Sequence, residues 1–199
     1  MPDTFDLPPP GRLAASADTD LHARLEHLLP CLEWPLHLPW IDAIRQLKAD
    51  RGAVVMAHSY QSPEIFHGVA DVTGDSLALA QAAADCDADV IVLCGVHFMA
   101  ETAKILAPGR TVLIPDPDAG CSLAASITAD DVRALRARFP DVEFIKPCNL
   151  CPHMQKITLP KIHACLRDLR HEVVVPPAIA GRARAALERM LAVGRGERA

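Results

Sequence analysis

Aromatic residues are scarce. Phe, Trp and Tyr make up 4% of the 199 residues, with a single Tyr, although half of the chain is hydrophobic. Ala, Leu and Val must therefore fill the core, a composition that suits helices packed on a parallel sheet. A basic excess is also lacking: 20 Lys and Arg stand against 25 Asp and Glu, a formal net charge of −5. No basic stripe runs along the chain, so no nucleic-acid surface is expected. The longest apolar runs fall far short of the roughly 20 residues that cross a bilayer, so no membrane span is expected. The first residues are acidic and Pro-rich, without the charged-then-apolar pattern of a secretory signal. A cytoplasmic protein is expected, and with it reduced thiols.

Thiols are plentiful by comparison. The chain has seven cysteines. Cys94 ends the apolar run Asp89-Val-Ile-Val-Leu93 and reads as core, as do Cys31, Cys86 and Cys165, because a free Cys packs as a small hydrophobe. Cys121, Cys148 and Cys151 instead sit among Pro, Gly, Asn and Asp, where loops form. In Cys148-x-x-Cys151-Pro152, two thiolates are spaced to share one metal ion or one cluster. A redox pair, or two incidental loop cysteines, fits the same spacing. No second CxxC or CxxH completes a zinc site. Cys121 is the other loop cysteine, and three converging thiolates would leave one metal position open, as a catalytic centre needs.

Periodicity predicts an α/β protein. Residues 1–17 read as a leader, Asp20 to Leu29 as a short amphipathic helix, and Pro30, Pro35 and Pro39 as breaks, with Trp34 and Trp40 as anchors. A helix is expected over Ile41 to Asp50 and a strand over Ala53 to Ala57. Ser62-Pro63-Glu64 starts a helix expected to reach Val72. Thr73 to Ser76 reads as a break with a second cap, followed by a helix over Leu77 to Ala84. Next come a strand over Asp89 to Leu93, a helix over Phe98 to Leu106 and a strand over Thr111 to Pro115. An Asp-, Pro- and Gly-rich loop then carries Cys121. Thr128 is expected to cap a helix to Phe139, before a strand over Val142 to Ile145. Thr158 is expected to cap a helix to about Leu169, followed by an extended Val173 to Val175 and a helix over Ala178 to Leu191.

This order predicts a three-layer αβα domain with a parallel sheet, plus C-terminal helices. The expected segments are a leader and helix over 1–38, the αβα domain over 39–145 and a C-terminal region over 146–199. His58 and Tyr60 stand at the carboxyl end of the first strand, where they suit proton transfer and substrate hydrogen bonding, or simply pack the loop. Asp75-Ser76 opens a helix, a place for a carboxylate or phosphate or for ordinary capping. His97 and His153 read as structural.

Several stretches together carry a resemblance. They are AHSYQSPE from Ala57, GDSLALA from Gly74, CGVHFMAETAKIL from Cys94, PDPDAGCS from Pro115 and NLCPHMQKITL from Asn149. In this order they resemble the quinolinate synthases, the iron–sulfur enzymes of de novo NAD biosynthesis. The terminal helix, with Arg184, Leu187, Arg189 and Met190-Leu191, is also similar. The resemblance implies one of three pseudo-symmetric αβα domains, with the active site at their junction. It implies a transferase that condenses iminoaspartate with dihydroxyacetone phosphate to quinolinate on a [4Fe–4S] cluster held by one cysteine per domain. Carried over, Cys121 and Cys151 match cluster ligands, with Cys148 as a substitute ligand. His58 and Tyr60 match catalytic positions, and His58, Asp75 and Ser76 match substrate-binding ones. An aspartate-oxidising enzyme upstream is the implied partner. The chain departs from the family pattern after Ile145. It lacks the middle domain with its cysteine and most of the third domain. A non-catalytic, shortened family member, or a small metal-binding or redox module on Cys148 and Cys151, stays open as an alternative.

Overall fold

The structure is a computed structural model that describes residues 34–121, 138 and 151–196. Cys31, Cys148, the expected helix from Asp20, the expected strand Val142 to Ile145 and, Arg138 apart, the expected helix from Thr128 lie outside the described residues.

Among the described residues the sheet has four parallel strands: β1 (Ala53–His58), β2 (Val72–Gly74), β3 (Val90–Cys94) and β4 (Thr111–Leu113), in the order β2-β1-β3-β4. All five residues of β3 are buried. Successive side chains of a strand point to opposite faces, so burial of every one means that both faces of the sheet are covered. The expected α/β architecture in three layers is therefore present.

Helix α1 (Trp34–Arg51) precedes β1, and α2 (Pro63–Phe66) joins β1 to β2. Helix α3 (Ser76–Ala84) joins β2 to β3, and α4 (His97–Leu106) joins β3 to β4. A 3₁₀ turn (Met154–Lys156), α5 (Leu159–Asp168) and α6 (Pro177–Gly194) follow. Helices α1 and α5 pack on each other against β1 and β3, while α3, α4 and α6 pack together. Ile41, Ile44, Ile162, Cys165 and Leu166 are fully buried in the α1–α5 layer. Each such Ile or Leu contributes about 1.5–3 kcal/mol by leaving water.

Three expectations are corrected. First, the helix from Pro63 is a single turn and does not reach Val72, because β2 forms there. A Cβ on Gly68 would lie 2.1 Å from the Glu64 carbonyl oxygen, so this glycine lets the chain leave the helix tightly. Asp71 then draws the chain onto β1. Its N–H donates to the Val55 carbonyl at 2.8 Å, and its Oδ2 accepts from the Val55 N–H at 2.8 Å. The Lys48 ammonium holds the other carboxylate oxygen at 2.6 Å. Second, the prolines do not break the chain before Ile41: α1 runs from Trp34 with Pro39 inside it. The missing N–H of Pro39 forgoes a helical bond near the start of the helix. Burial of Leu38, Trp40 and Ile41 around it offsets that loss. The Trp40 anchor is in place, with its ring edge-on to His163 at 5.3 Å between centroids. Third, Thr158 stands at the N-cap position of α5 without a side-chain capping bond.

The C-terminal region docks on the sheet's far edge. Glu172 bridges Leu113 antiparallel, the Ile114 N–H donates to the His171 carbonyl at 3.2 Å, and the Val173 N–H donates to Val112 at 2.8 Å. Lys104 pairs with Glu172 at 3.0 Å, Arg51 donates to the Arg167 carbonyl at 2.8 Å, and Arg184 donates to the Ile105 carbonyl. No helix among the described residues is long and apolar enough to cross a membrane.

Candidate functional site

In a parallel sheet, loops at the carboxyl ends of the strands meet on one edge. A crevice opens there between two neighbouring strands whose connections leave in opposite directions. Here those strands are β1, which leads outward to β2, and β3, which leads the other way to β4. His58 ends β1 and Cys94 ends β3.

The turn after β1 is held from within. The Gln61 N–H donates to the His58 carbonyl at 2.9 Å. The Tyr60 N–H donates to His58 Nδ1 at 3.2 Å, and the two rings meet edge to face with centroids 4.7 Å apart. Because Nδ1 accepts, the neutral ring carries its proton on Nε2. His58 is therefore oriented as well as buried. The Ser59 N–H donates to the Gly74 carbonyl at 2.9 Å, which ties this turn to the end of β2.

Next to Gly74, Asp75 caps α3: its Oδ1 accepts from the Ala78 N–H at 2.8 Å. Ser76 is exposed on the first turn. Asp75→Ala is expected to cost about 1 kcal/mol through loss of this cap. Thermal unfolding should show a fall of about 2–4 °C for a chain of this size.

The loop after β4 leads to Cys121. The Asp118 N–H donates to Asp116 Oδ1 at 2.8 Å, and the His97 N–H donates to the Ala119 carbonyl at 2.8 Å. Lys161 of α5 binds the other oxygen of Asp116 and also donates to the Lys156 carbonyl at 2.9 Å. Burial alone would raise the Asp116 carboxyl. The Lys161 ammonium, the Asp118 N–H and the Lys156 charge outweigh it and hold the group below the usual carboxylate value.

The short segment that starts at Cys151 joins these loops. The Gln155 N–H donates to the Cys151 carbonyl at 3.1 Å, and the Gln155 side chain donates to the Tyr60 carbonyl at 3.3 Å. Lys156 donates to the Asp118 carbonyl at 2.7 Å. The turn of His58 and Tyr60, the loop of Cys121 and the turn of Cys151 thus share one hydrogen-bonded edge. Asp75 and Ser76 stand one strand away, beyond Gly74. Cys121 and Cys151 are both half-buried.

Cys94 and Cys165 take no part. Both are fully buried. Burial pushes the Cys94 thiol well above its ordinary value, and neighbouring Cys165 adds to the rise. Burial likewise pushes Cys165 up to about 12, and its Sγ–H donates to the Arg170 carbonyl at 3.2 Å. Thiols so held stay protonated and unreactive. Cys86 is half-buried and packs against the core.

Among the described residues, no three Cys, His, Asp or Glu side chains group together as metal ligands. An iron–sulfur cluster takes up to four protein ligands. The two described loop thiols do not by themselves fit one. Cys148 lies outside the described residues.

The roles of some residues of this edge have no local signal. Asp116, Gln155 and Lys156 fall inside the stretches quoted above, and Lys161 beyond them, but no local pattern marks their bonds. Gln61 follows Tyr60 in the first motif, yet only the fold shows its state. It is buried, and both polar atoms of its amide lack a hydrogen-bond partner among the described residues. Each such group costs about 1–3 kcal/mol. A shallow groove of about 370 Å³, lined by Gln81, Asp85, Leu191 and Arg195 among others, lies between the ends of α3 and α6, away from this edge.

Comparison with known proteins decides the lineage. The family model for Quinolinate synthetase A protein matches residues 42–150 and 135–192. The chain belongs to the quinolinate synthase family. Quinolinate synthase 2 of Mesorhizobium japonicum is 35% identical over 314 residues, taking in 87% of this chain and 97% of that protein. An alignment of that length cannot be filled by 199 residues, so it passes over a long stretch of the relative that has no counterpart here. Quinolinate synthase 1 of the same organism is 56% identical over 133 residues, 67% of this chain and 41% of that protein. The quinolinate synthase of Xylella fastidiosa strain 9a5c is 64% identical over 109 residues, 55% of this chain and 32% of that protein.

Proposed function

We propose that this family member acts in NAD biosynthesis by binding iminoaspartate and dihydroxyacetone phosphate at the carboxyl edge of its sheet and condensing them to quinolinate. The hydrogen bonds of Gln155 carry this reading. They bring the turn of Cys151 onto the turn of His58 and Tyr60, although the two are far apart in the chain. The reaction removes one phosphate and two waters while the pyridine ring closes, so protons must be delivered and taken at several oxygens. His58, with its proton on Nε2, and the Tyr60 hydroxyl are suited to that work. Ser76, with Asp75 beside it, offers a hydroxyl on the first turn of α3 to an anionic substrate group. A cytoplasmic setting suits free thiols. An imine hydrolyses in water, so an aspartate-oxidising enzyme is the partner we propose as its source.

A [4Fe–4S] cluster is the cofactor we propose, with Cys121 and Cys151 as ligands and Cys148 as a substitute. The described pair does not complete its ligand set. That same shortage favours a second reading, a non-catalytic family member. Anaerobic reconstitution separates the two. The first reading expects iron and sulfide near four of each per chain, quinolinate formed from the two substrates, and loss of both in Cys121→Ala. Product no higher than a no-enzyme control, with iron unchanged by Cys121→Ala, establishes the second.

A further inference from the structure

Among the described residues, three polar or charged side chains are buried: His58, Gln61 and Asp116. All three stand at the carboxyl edge of the sheet. His58 accepts from the Tyr60 N–H, and Asp116 is held by Lys161 and the Asp118 N–H. Gln61 differs. It is 6% exposed, and neither Nε2 nor Oε1 has a hydrogen-bond partner among the described residues.

The backbone gives Gln61 little freedom to escape this position. Its N–H is fixed to the His58 carbonyl at 2.9 Å. Just before it, Ser59 is tied to Gly74, and the Tyr60 carbonyl accepts from Gln155. Ile65, just beyond it in α2, is fully buried. For folding alone, an apolar side chain of the same length would serve better here, because it would bury no unpaired donor or acceptor. A buried amide without a partner, in the turn that carries His58 and Tyr60, points to a ligand.

We propose that Gln61 is a substrate-contacting residue of this site, its amide receiving a group that sets a hydrogen-bond acceptor beside a donor. The amide presents an N–H donor and a carbonyl acceptor side by side. A bare anion would satisfy only the donor. The carboxylate and adjacent N–H of an α-imino acid satisfy both, as do the carboxylate and hydroxyl of a 2-hydroxy acid. The choice of substrate class rests on the reading under Proposed function. The amide also discriminates: a dicarboxylate without a donor next to its carboxylate leaves Oε1 unpaired and binds more weakly.

The test uses the full chain, purified anaerobically, with thermal unfolding as the readout. The probes are L-malate, which has a hydroxyl beside a carboxylate, and succinate, which does not. Wild type is expected to be stabilised by malate well beyond any effect of succinate. Gln61→Met keeps the length and volume of the side chain and removes both polar atoms. It is expected to raise the unliganded Tm by about 3 °C and to weaken malate binding about tenfold. Gln61→Glu keeps an acceptor, loses the donor and should abolish the malate response. A lower Tm in Gln61→Met would show that the amide has a partner within the protein, and would overturn the proposal. So would unchanged malate affinity in that variant. His58→Ala separates this proposal from its parent. If malate stabilises wild type, fails with His58→Ala and still binds Gln61→Met normally, only the Gln61 assignment falls. If malate does not stabilise wild type, the substrate site itself is refuted and Gln61 with it.

Discussion

Lys161→Met is expected to cost the fold about 2–3 kcal/mol at neutral pH and to weaken its response to acid. The Asp116 side chain is 11% exposed and that of Lys161 is 33% exposed. Removing the cation leaves a carboxylate in place without its main partner. For fully buried pairs such a loss costs roughly 3–5 kcal/mol, and water at Lys161 reduces it here. The sign with pH follows from the direction of the shift. In the wild type, Lys161 and its neighbours hold Asp116 below its ordinary value. The stability this carboxylate contributes is therefore complete above about pH 4 and is lost as pH falls through the depressed native value. Without Lys161, burial is opposed only by the Asp118 N–H and the Lys156 charge, so the native value rises from its depressed position. The variant then loses less stability from this group than the wild type does as pH falls. Denaturation profiles from pH 8 down to pH 3 should show the gap between the two proteins narrowing. Adding Asp116→Asn to the variant should recover most of the loss at pH 7. A constant gap across the range would mean that Lys161 acts only through the packing of its methylene stem.

The second large effect concerns the layer between α1 and α5. Ile162 is fully buried there, alongside Ile41 and Ile44. Ile162→Ala should cost about 3 kcal/mol, as the removed carbons and the cavity left behind both count. Its Tm should fall by about 6–12 °C. Residues 151–196 share their core with residues 34–121, so the loss should appear as one shifted transition. Far-UV circular dichroism and Trp fluorescence should report the same midpoint, because Trp40 sits in this layer against His163. Two separate midpoints, with only one of them moved, would sink this account.

What could be read in advance follows from where the forces are local. The run Val90–Cys94 declared itself, because a strand covered on both faces is apolar throughout. Helix α3 was legible through its Asp75 cap and its alanines. Strand β2 was not. Three residues cannot display a period of two, and the strand is held by Asp71 reaching to Val55 and Lys48. The start of α1 was hidden by Pro39, whose penalty is overcome by burial that composition does not show. At the site, His58 and Tyr60 could be found because the end of a parallel strand is where chemistry gathers. Lys161 and Asp116 lie 45 positions apart, so their pairing leaves no trace in either neighbourhood. Gln61 was visible as a letter, but its unpaired state exists only in the folded chain.

The docking of residues 171–173 on β4 has a consequence for how the protein comes into being. Ribosomes add about 5–20 residues per second, so β4 is made seconds before the segment that pairs with it. Through that interval the emerging chain shows an unpaired strand edge at β4 and an uncovered apolar face on α1, both of which invite association with other chains. The final core of this protein is therefore a late event in its synthesis. A nascent chain stopped just after Cys121 should engage chaperones that the complete chain, with Val173 seated beside Val112, no longer needs.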